Sequence, residues 1–129
     1  FDLQQKLLSD FPEVTKYYFG SAVAAQRLGN ALAQVGDLAQ ARLALETAVG
    51  NQGLFLRNEP DSLFSRGYLY QHYRSLAEVL ALLGESSLSI EADKRSAEIR
   101  DAWRQELRSR EKSTRTQGSA SSRSTNTGT

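Results

Sequence analysis

The chain has 129 residues, with 16 Lys and Arg against 15 Asp and Glu, a single His, and neither Cys nor Met. That length suits one domain with a core of its own and excludes a multi-domain enzyme, while the missing cysteines exclude disulfides, thiolate metal sites and thiol nucleophiles. A net charge of +1 gives no field that would steer nucleic acid or an anionic membrane onto the protein. The longest aliphatic run, Val79 to Leu83, is far short of the ~20 residues of a membrane span. A chain that opens on Phe1 and holds no Met is expected to be a piece of a longer or processed protein.

Leu3 to Leu8 reads as a short apolar helix, closed by a polar break at Asp10 to Pro12. A long helix follows, because Val14, Tyr18, Ala25, Leu28, Leu32 and Val35 fall at steps of three, four or seven and predict one buried stripe. Gly36 suits the left-handed conformation that ends a helix, and Asp37 with Gln40 forms a capping box that opens the next. That second helix carries Leu38, Ala41, Leu45 and Ala48, and stops at Asn58-Glu59-Pro60-Asp61. Leu69, Tyr73, Leu76, Leu80 and Leu83 mark a third helix, which turns at Gly84 into a fourth with Ala92, Ser96, Ile99 and Trp103. Gly20, Gly50, Gly53 and Gly67 lie inside these helices, where kinks or breaks are expected. From Ser113 onward ten of seventeen residues are Ser or Thr. Such a stretch cannot bury enough apolar surface to offset its ordering entropy, so disorder is expected. The fold class is all-α.

An offset of 48 residues pairs Leu8 with Leu56, Pro12 with Pro60, Leu28 with Leu76, Leu32 with Leu80, Ala33 with Ala81, Gly36 with Gly84 and Ala44 with Ala92. Turn and core residues repeat together, so the unit is a helical hairpin. Leu28-Gly29, Leu32, Gly36, Ala41, Leu45, Ala48 and Pro60, followed by Tyr73, Leu76-Ala77, Leu80 and Gly84, resemble the tetratricopeptide repeat (TPR) pattern. The extra turns around each proline are similar to the extended repeats of kinesin light chains and of C-terminal arrays in planctomycete-type bacterial Ser/Thr protein kinases. The resemblance implies antiparallel hairpins stacked as a short right-handed superhelical array. Residues 1–11 would end a preceding unit, 12–59 form a TPR-like unit, 60–110 a degenerate terminal unit and 111–129 a disordered tail. Ser89, Asp93 and Ser96 depart from the pattern and suggest a solvent-facing cap.

The resemblance also implies a groove for a protein or peptide ligand, lined by Val23, Gln26, Asn30, Ala33 and Gln34 and by Gln71, Arg74, Glu78 and Leu82. Gln26, Asn30, Gln34, Gln71, Arg74 and Glu78 are its polar members, able to bond a peptide backbone or attract an acidic side chain. Gln26 stands where a carboxylate clamp would need a basic residue, so that clamp is not expected. Preceding TPR units of the same chain, stacking on Leu3, Leu7 and Leu8, are the other implied partners. No catalytic residue, cofactor or metal is expected: His72 has no second His to share an ion and reads as a packed or partly exposed structural side chain beside Tyr70 and Tyr73. The aromatic clusters Tyr17-Tyr18-Phe19 and Tyr68, Tyr70, Tyr73 read mainly as filler between hairpins, with Tyr17 and Tyr68 the outward members. Glu91 to Lys112 mixes six acidic with seven basic residues, and Glu91 with Arg95 and Glu106 with Arg110 stand four apart. That helix reads as a solvated face, with pairing between chains as the alternative. The resulting expectation is a non-catalytic interaction or scaffold module; its alternatives are the regulatory C-terminal segment of a bacterial Ser/Thr kinase and a self-association element.

Overall fold

The computed structural model describes Lys6 and residues 10–126. Among these it is all-α, with four helices: α1 (Pro12–Gln34), α2 (Leu38–Asn58), α3 (Leu63–Leu82) and α4 (Ser86–Asn126). The helix expected over Leu3 to Leu8 lies, apart from Lys6, outside the described residues, as do Leu3, Leu7 and Leu8 as stacking positions. Pro12 supplies the pre-set φ of a first helical turn in α1. Asp37 and Ser62 cap α2 and α3, their side chains accepting from the Gln40 and Ser65 N–H groups, each at 3.2 Å.

Both hairpin turns share one geometry. Gly36 has φ 87° and Gly84 φ 83°, a region in which a Cβ is strained. The Gly36 N–H donates to Ala33 O at 3.1 Å and the Asp37 N–H to Leu32 O at 2.9 Å; Gly84 and Glu85 repeat both bonds to Ala81 and Leu80. These are Schellman closures, which satisfy the last carbonyls of α1 and α3. The capping box expected at Asp37 is therefore only half made, because its own N–H is engaged in closing α1.

α1 packs on α2 and α3 on α4 as antiparallel hairpins, α2 lies against α3, and α1 touches α3. The dry core sits toward the glycine turns, where Ala41 and Leu45 of α2 meet Leu76, Ala77, Val79 and Leu80 of α3 and Ala92 of α4. Toward the other end the packing turns polar and aromatic. Asn51 donates to Ser21 at 3.2 Å, Asn58 to Thr15 at 3.1 Å, and Phe19 stacks edge-on with Phe55 and Tyr68.

Four expectations need correction. The buried line of α1 is Thr15, Ala22 and Gly29, not one running through Leu28 and Val35, which are exposed. The cause is the closeness of α2: a Cβ on Gly29 would stand 2.6 Å from Leu45 Cγ, so the inward side of α1 is built from small residues. Ser89 and Ser96 are buried rather than solvent-facing, since their hydroxyls donate at 2.8 Å to the carbonyls of Ala77 and Asp93; only Asp93 of that set is exposed. Arg95 pairs with Glu98 at 3.4 Å instead of with Glu91. No helix breaks at Gly20, Gly50, Gly53 or Gly67, because a penalty of about 1 kcal/mol per glycine is small beside the packing of helices this long.

α4 continues as helix to Asn126 through the segment in which composition predicts disorder. Its extension is carried by i,i+4 pairs, Glu106 with Arg110 at 3.2 Å and Glu111 with Arg115 at 2.8 Å, and one long-range bond from Arg110 to Asp61 O at 3.0 Å. Residues 108–116 are all exposed, and a helix with no packed face is marginal in water. Native-state hydrogen exchange should accordingly show amide protection falling by roughly 100-fold or more between Ala92–Trp103 and the residues beyond Lys112. Uniform protection along α4 would contradict this.

Candidate functional site

The residues singled out in the sequence are carried by α1 and α3, two helices that touch each other. Gln26 is half-buried, while Asn30, Gln34, Gln71, Arg74 and Glu78 are exposed. The structure joins only two of the six: Arg74 and Glu78 form an exposed ion pair at 3.9 Å, of the kind worth little on its own. Arg74 also donates to the Tyr70 hydroxyl at 3.4 Å. That hydrogen bond, with the nearby Glu78 and Asp93 carboxylates, holds the guanidinium further toward its charged form than usual. Among the described residues no hydrogen bond or ion pair links Gln26, Asn30 or Gln34 to the α3 set.

Two hollows lie at the N-terminal end of α3. One hollow of about 530 Å³ is lined by Leu63, Phe64, Gly67, Tyr68, Gln71 and Trp103, with Leu107 at its edge. A second, of about 470 Å³, runs between Lys16 and Phe19 of α1, Phe55 of α2, and Phe64 and Tyr68 of α3. Phe64 and Tyr68 belong to both, and Phe64 is 82% exposed on the ridge between them. Gly67 opens the first hollow toward Trp103, which lies 3.5 Å from where a Cβ would be. Of the six sequence-chosen residues only Gln71 lines either hollow.

Phe64 was not legible as a site residue, because a Phe two residues into a helix reads as core. Its signal is the 48-residue offset, which aligns it with Lys16: an aromatic that replaces a charge at an equivalent position is not required by the repeat. Tyr17 points outward as expected, whereas Tyr68 is half-buried between Phe19 and His72.

On the opposite side, a groove of about 500 Å³ separates α2 from α4 over Tyr73, Leu76 and Leu80. Its rims mix Arg42, Lys94 and Arg95 with Glu46, Glu91 and Glu98, and this even mixture selects no charge. Ile99 and Trp103 of α4 are half-buried.

His72 is fully buried at the interface of α2 and α3. Gln52 donates through Nε2 to Ser65 Oγ at 2.6 Å, and its Oε1 lies 2.9 Å from His72 Nε2. The amide oxygen can only accept, so the imidazole proton is on Nε2. Nδ1 is then a bare lone pair, and it has no partner. Burial lowers the His72 pKa to about 4: a second proton would create a buried charge and an unpaired donor. The side chain is a neutral strut between two helices. Among the described residues no cluster of three or more His, Cys, Asp or Glu could hold a metal ion, and no helix is long and apolar enough to cross a membrane.

Comparison with protein-family models, with curated proteins and with solved structures finds no match to this chain.

Proposed function

We propose that the chain is a non-catalytic protein-interaction module of TPR-like hairpins that takes a peptide along the face shared by α1 and α3. The observation that supports this reading is the ridge at Phe64, a nearly unshielded aromatic between two hollows large enough for bulky side chains. A soluble surface rarely leaves such an apolar group without use, and aromatic anchors of this kind carry a disproportionate share of interface energy. Arg74, Glu78, Asn30 and Gln34, exposed on α3 and α1, would supply polar contacts to a peptide that extends beyond the hollows. Their exposure and, for Arg74, its standing ion pair make them contributors of selectivity more than of affinity.

The test is selection of binding peptides from a random display library, followed by calorimetric affinities for the wild-type chain and for Phe64→Ala, Asn30→Ala and Arg74→Ala. Phe64→Ala should weaken binding by at least about tenfold, and the other two by less. Because Phe64 is exposed, the helical content and melting temperature of Phe64→Ala should match the wild type. Peptides that bind all four proteins equally would remove this face as the site.

A further inference from the structure

Among the hydroxyl residues of the chain one position stands apart by its charges. Of all the Ser and Thr residues in the sequence, Ser113 alone has an arginine three residues before it, Arg110, and it has a second five residues before it, Arg108. Both arginines are exposed, as is every residue from 108 to 116. This part of α4 has no packed face. The bonds it would give up on opening are exposed ones: Glu106 with Arg110 at 3.2 Å, Glu111 with Arg115 at 2.8 Å, and Arg110 to Asp61 O at 3.0 Å. Exposed pairs are each worth about 1 kcal/mol or less, so local opening of the segment into an extended strand costs little. The hydroxyls of Thr114 and Thr116 donate to the carbonyls of Arg110 and Lys112 at 2.9 and 3.0 Å. Among the described residues Ser113 makes no such bond.

We propose that Ser113 is a phosphorylation site for a protein kinase whose substrate cleft carries carboxylates, and that the phosphate it gains takes Arg110 away from Asp61 O. Two guanidinium groups at fixed distances before the acceptor hydroxyl each present a planar fork to a carboxylate, and a charge pattern of this kind is how a kinase tells one hydroxyl from its neighbours. In the extended segment the Ser113 Oγ forms a bond to the γ-phosphorus of a nucleoside triphosphate. The bond from that phosphorus to the β–γ bridging oxygen breaks, a nucleoside diphosphate leaves, and the hydroxyl proton passes to a carboxylate of the kinase. When the segment winds back into α4, the new group has a partner waiting. Glu106, Arg110 and Ser113 lie on one side of the helix at positions i, i+4 and i+7, and a helical side chain leans over the turn before its own Cα, here that of Arg110. Arg110 holds Glu106 through Nε and Asp61 O through one terminal nitrogen. The phosphate offers that nitrogen a nearly doubly charged acceptor in place of a neutral carbonyl, while Nε stays on Glu106. One of the two arginine bonds to the Glu59–Ser62 connection is thereby lost, and Arg66 to Pro60 O remains.

The experiment incubates the whole chain with magnesium ATP and the catalytic subunit of cyclic-AMP-dependent protein kinase, and follows the product by mass spectrometry. One phosphoryl group should be added, mapped to Ser113, and Ser113→Ala should take up none. Arg110→Ala should slow the reaction by at least about tenfold, the loss of one charge-assisted contact, and Arg108→Ala should slow it as well. Arg115→Ala removes the same charge from the far side of Ser113 and should leave the rate unchanged. All four sites are exposed, so the circular dichroism of the variants should match the wild type. No incorporation, incorporation at another residue, or equal slowing by Arg110→Ala and Arg115→Ala each overturns Ser113 as the site. The second part is read by phosphorus NMR on the phosphorylated chain. The second pKa of the phosphate should lie below its ordinary value of about 6, because Arg110 favours the dianion, and should return to it in Arg110→Ala carried to full phosphorylation by a longer reaction. An equal second pKa in the two proteins overturns the transfer of Arg110. Peptide binding at Phe64 is a separate reading, tested by its own variants, and stands or falls independently of both results.

Discussion

Leu45→Ala should lower unfolding free energy by about 3 kcal/mol, the middle of the range for a buried leucine that leaves a cavity, and melting temperature by roughly 12–20 °C. Leu45 is fully buried and stands where α2 meets Gly29 of α1 and the Leu76–Leu80 turn of α3, so its loss opens both helix interfaces together. Gly29→Ala acts on the same contact from the other side. Alanine raises helix propensity by up to about 1 kcal/mol, but its Cβ would stand 2.6 Å from Leu45 Cγ and 2.9 Å from Cδ2, in a place where Leu45 has no solvent to retreat into. Overpacking of this kind costs about 1–3 kcal/mol, so Gly29→Ala alone should be destabilising. In the double variant the new methyl enters the space that Leu45 vacates. The double should be at least as stable as Leu45→Ala alone, with a favourable coupling of about 1 kcal/mol or more. Urea unfolding of the four proteins measures the cycle, and strictly additive effects would show that Gly29 and Leu45 do not share this contact.

The second large effect is on pH. His72 titrates near its ordinary 6.5 in the unfolded chain and at about 4 in the folded one. Above pH 6.5 neither state binds the proton and His72 adds no pH dependence. As pH falls through 6.5 the unfolded chain takes up the proton and the folded chain does not, so stability declines until the folded form also protonates near pH 4. The stability lost over that window is about 3 kcal/mol, a large part of the total for a domain this small. His72→Gln keeps a donor for Gln52 Oε1 and removes the titration. The difference in unfolding free energy between wild type and His72→Gln should therefore narrow by about 3 kcal/mol, in favour of the variant, between pH 7 and pH 4. A constant difference across that range would mean that His72 is accessible to protons in the folded state.

Much of the fold could be read from the chain because its punctuation is chemically specific. Gly36 and Gly84 are the only described residues with positive φ, Asp37 caps where its spacing to Gln40 requires, and the helices end within a residue or two of each expected break. The stripe on α1 was misjudged for a definite reason. Periodicity identifies an apolar face, but not whether a neighbour covers it, and the side of α1 nearest α2 had to be made of Thr15, Ala22 and Gly29 to let Leu45 in. The site was less legible. Polar residues at groove positions are easily picked out by type, yet the relief of that surface depends on Phe19, Phe55, Phe64 and Trp103 converging from four helices, and no spacing within one helix encodes such a convergence. A structural His72, packed or partly exposed, was legible, but its full burial was not: its partners Gln52 and Ser65 sit on two helices and only the packing of α2 on α3 brings them to it.

The two Schellman turns have a mechanical consequence. Asp37 is both the last bonded residue of α1 and the cap of α2, so no free rotor separates the two helices, and Glu85 stands in the same place between α3 and α4. Each hairpin is thus a stiff plate. The one compliant joint among the described connections is Glu59 to Ser62, spanned by two arginine straps, Arg66 to Pro60 O at 2.7 Å and Arg110 to Asp61 O at 3.0 Å. The apolar core and the Gln52–Ser65–His72 bonds lie between the two plates, so a change of length or sequence at that joint that tilts one plate against the other alters the width of the Phe64 hollows and the core contact together.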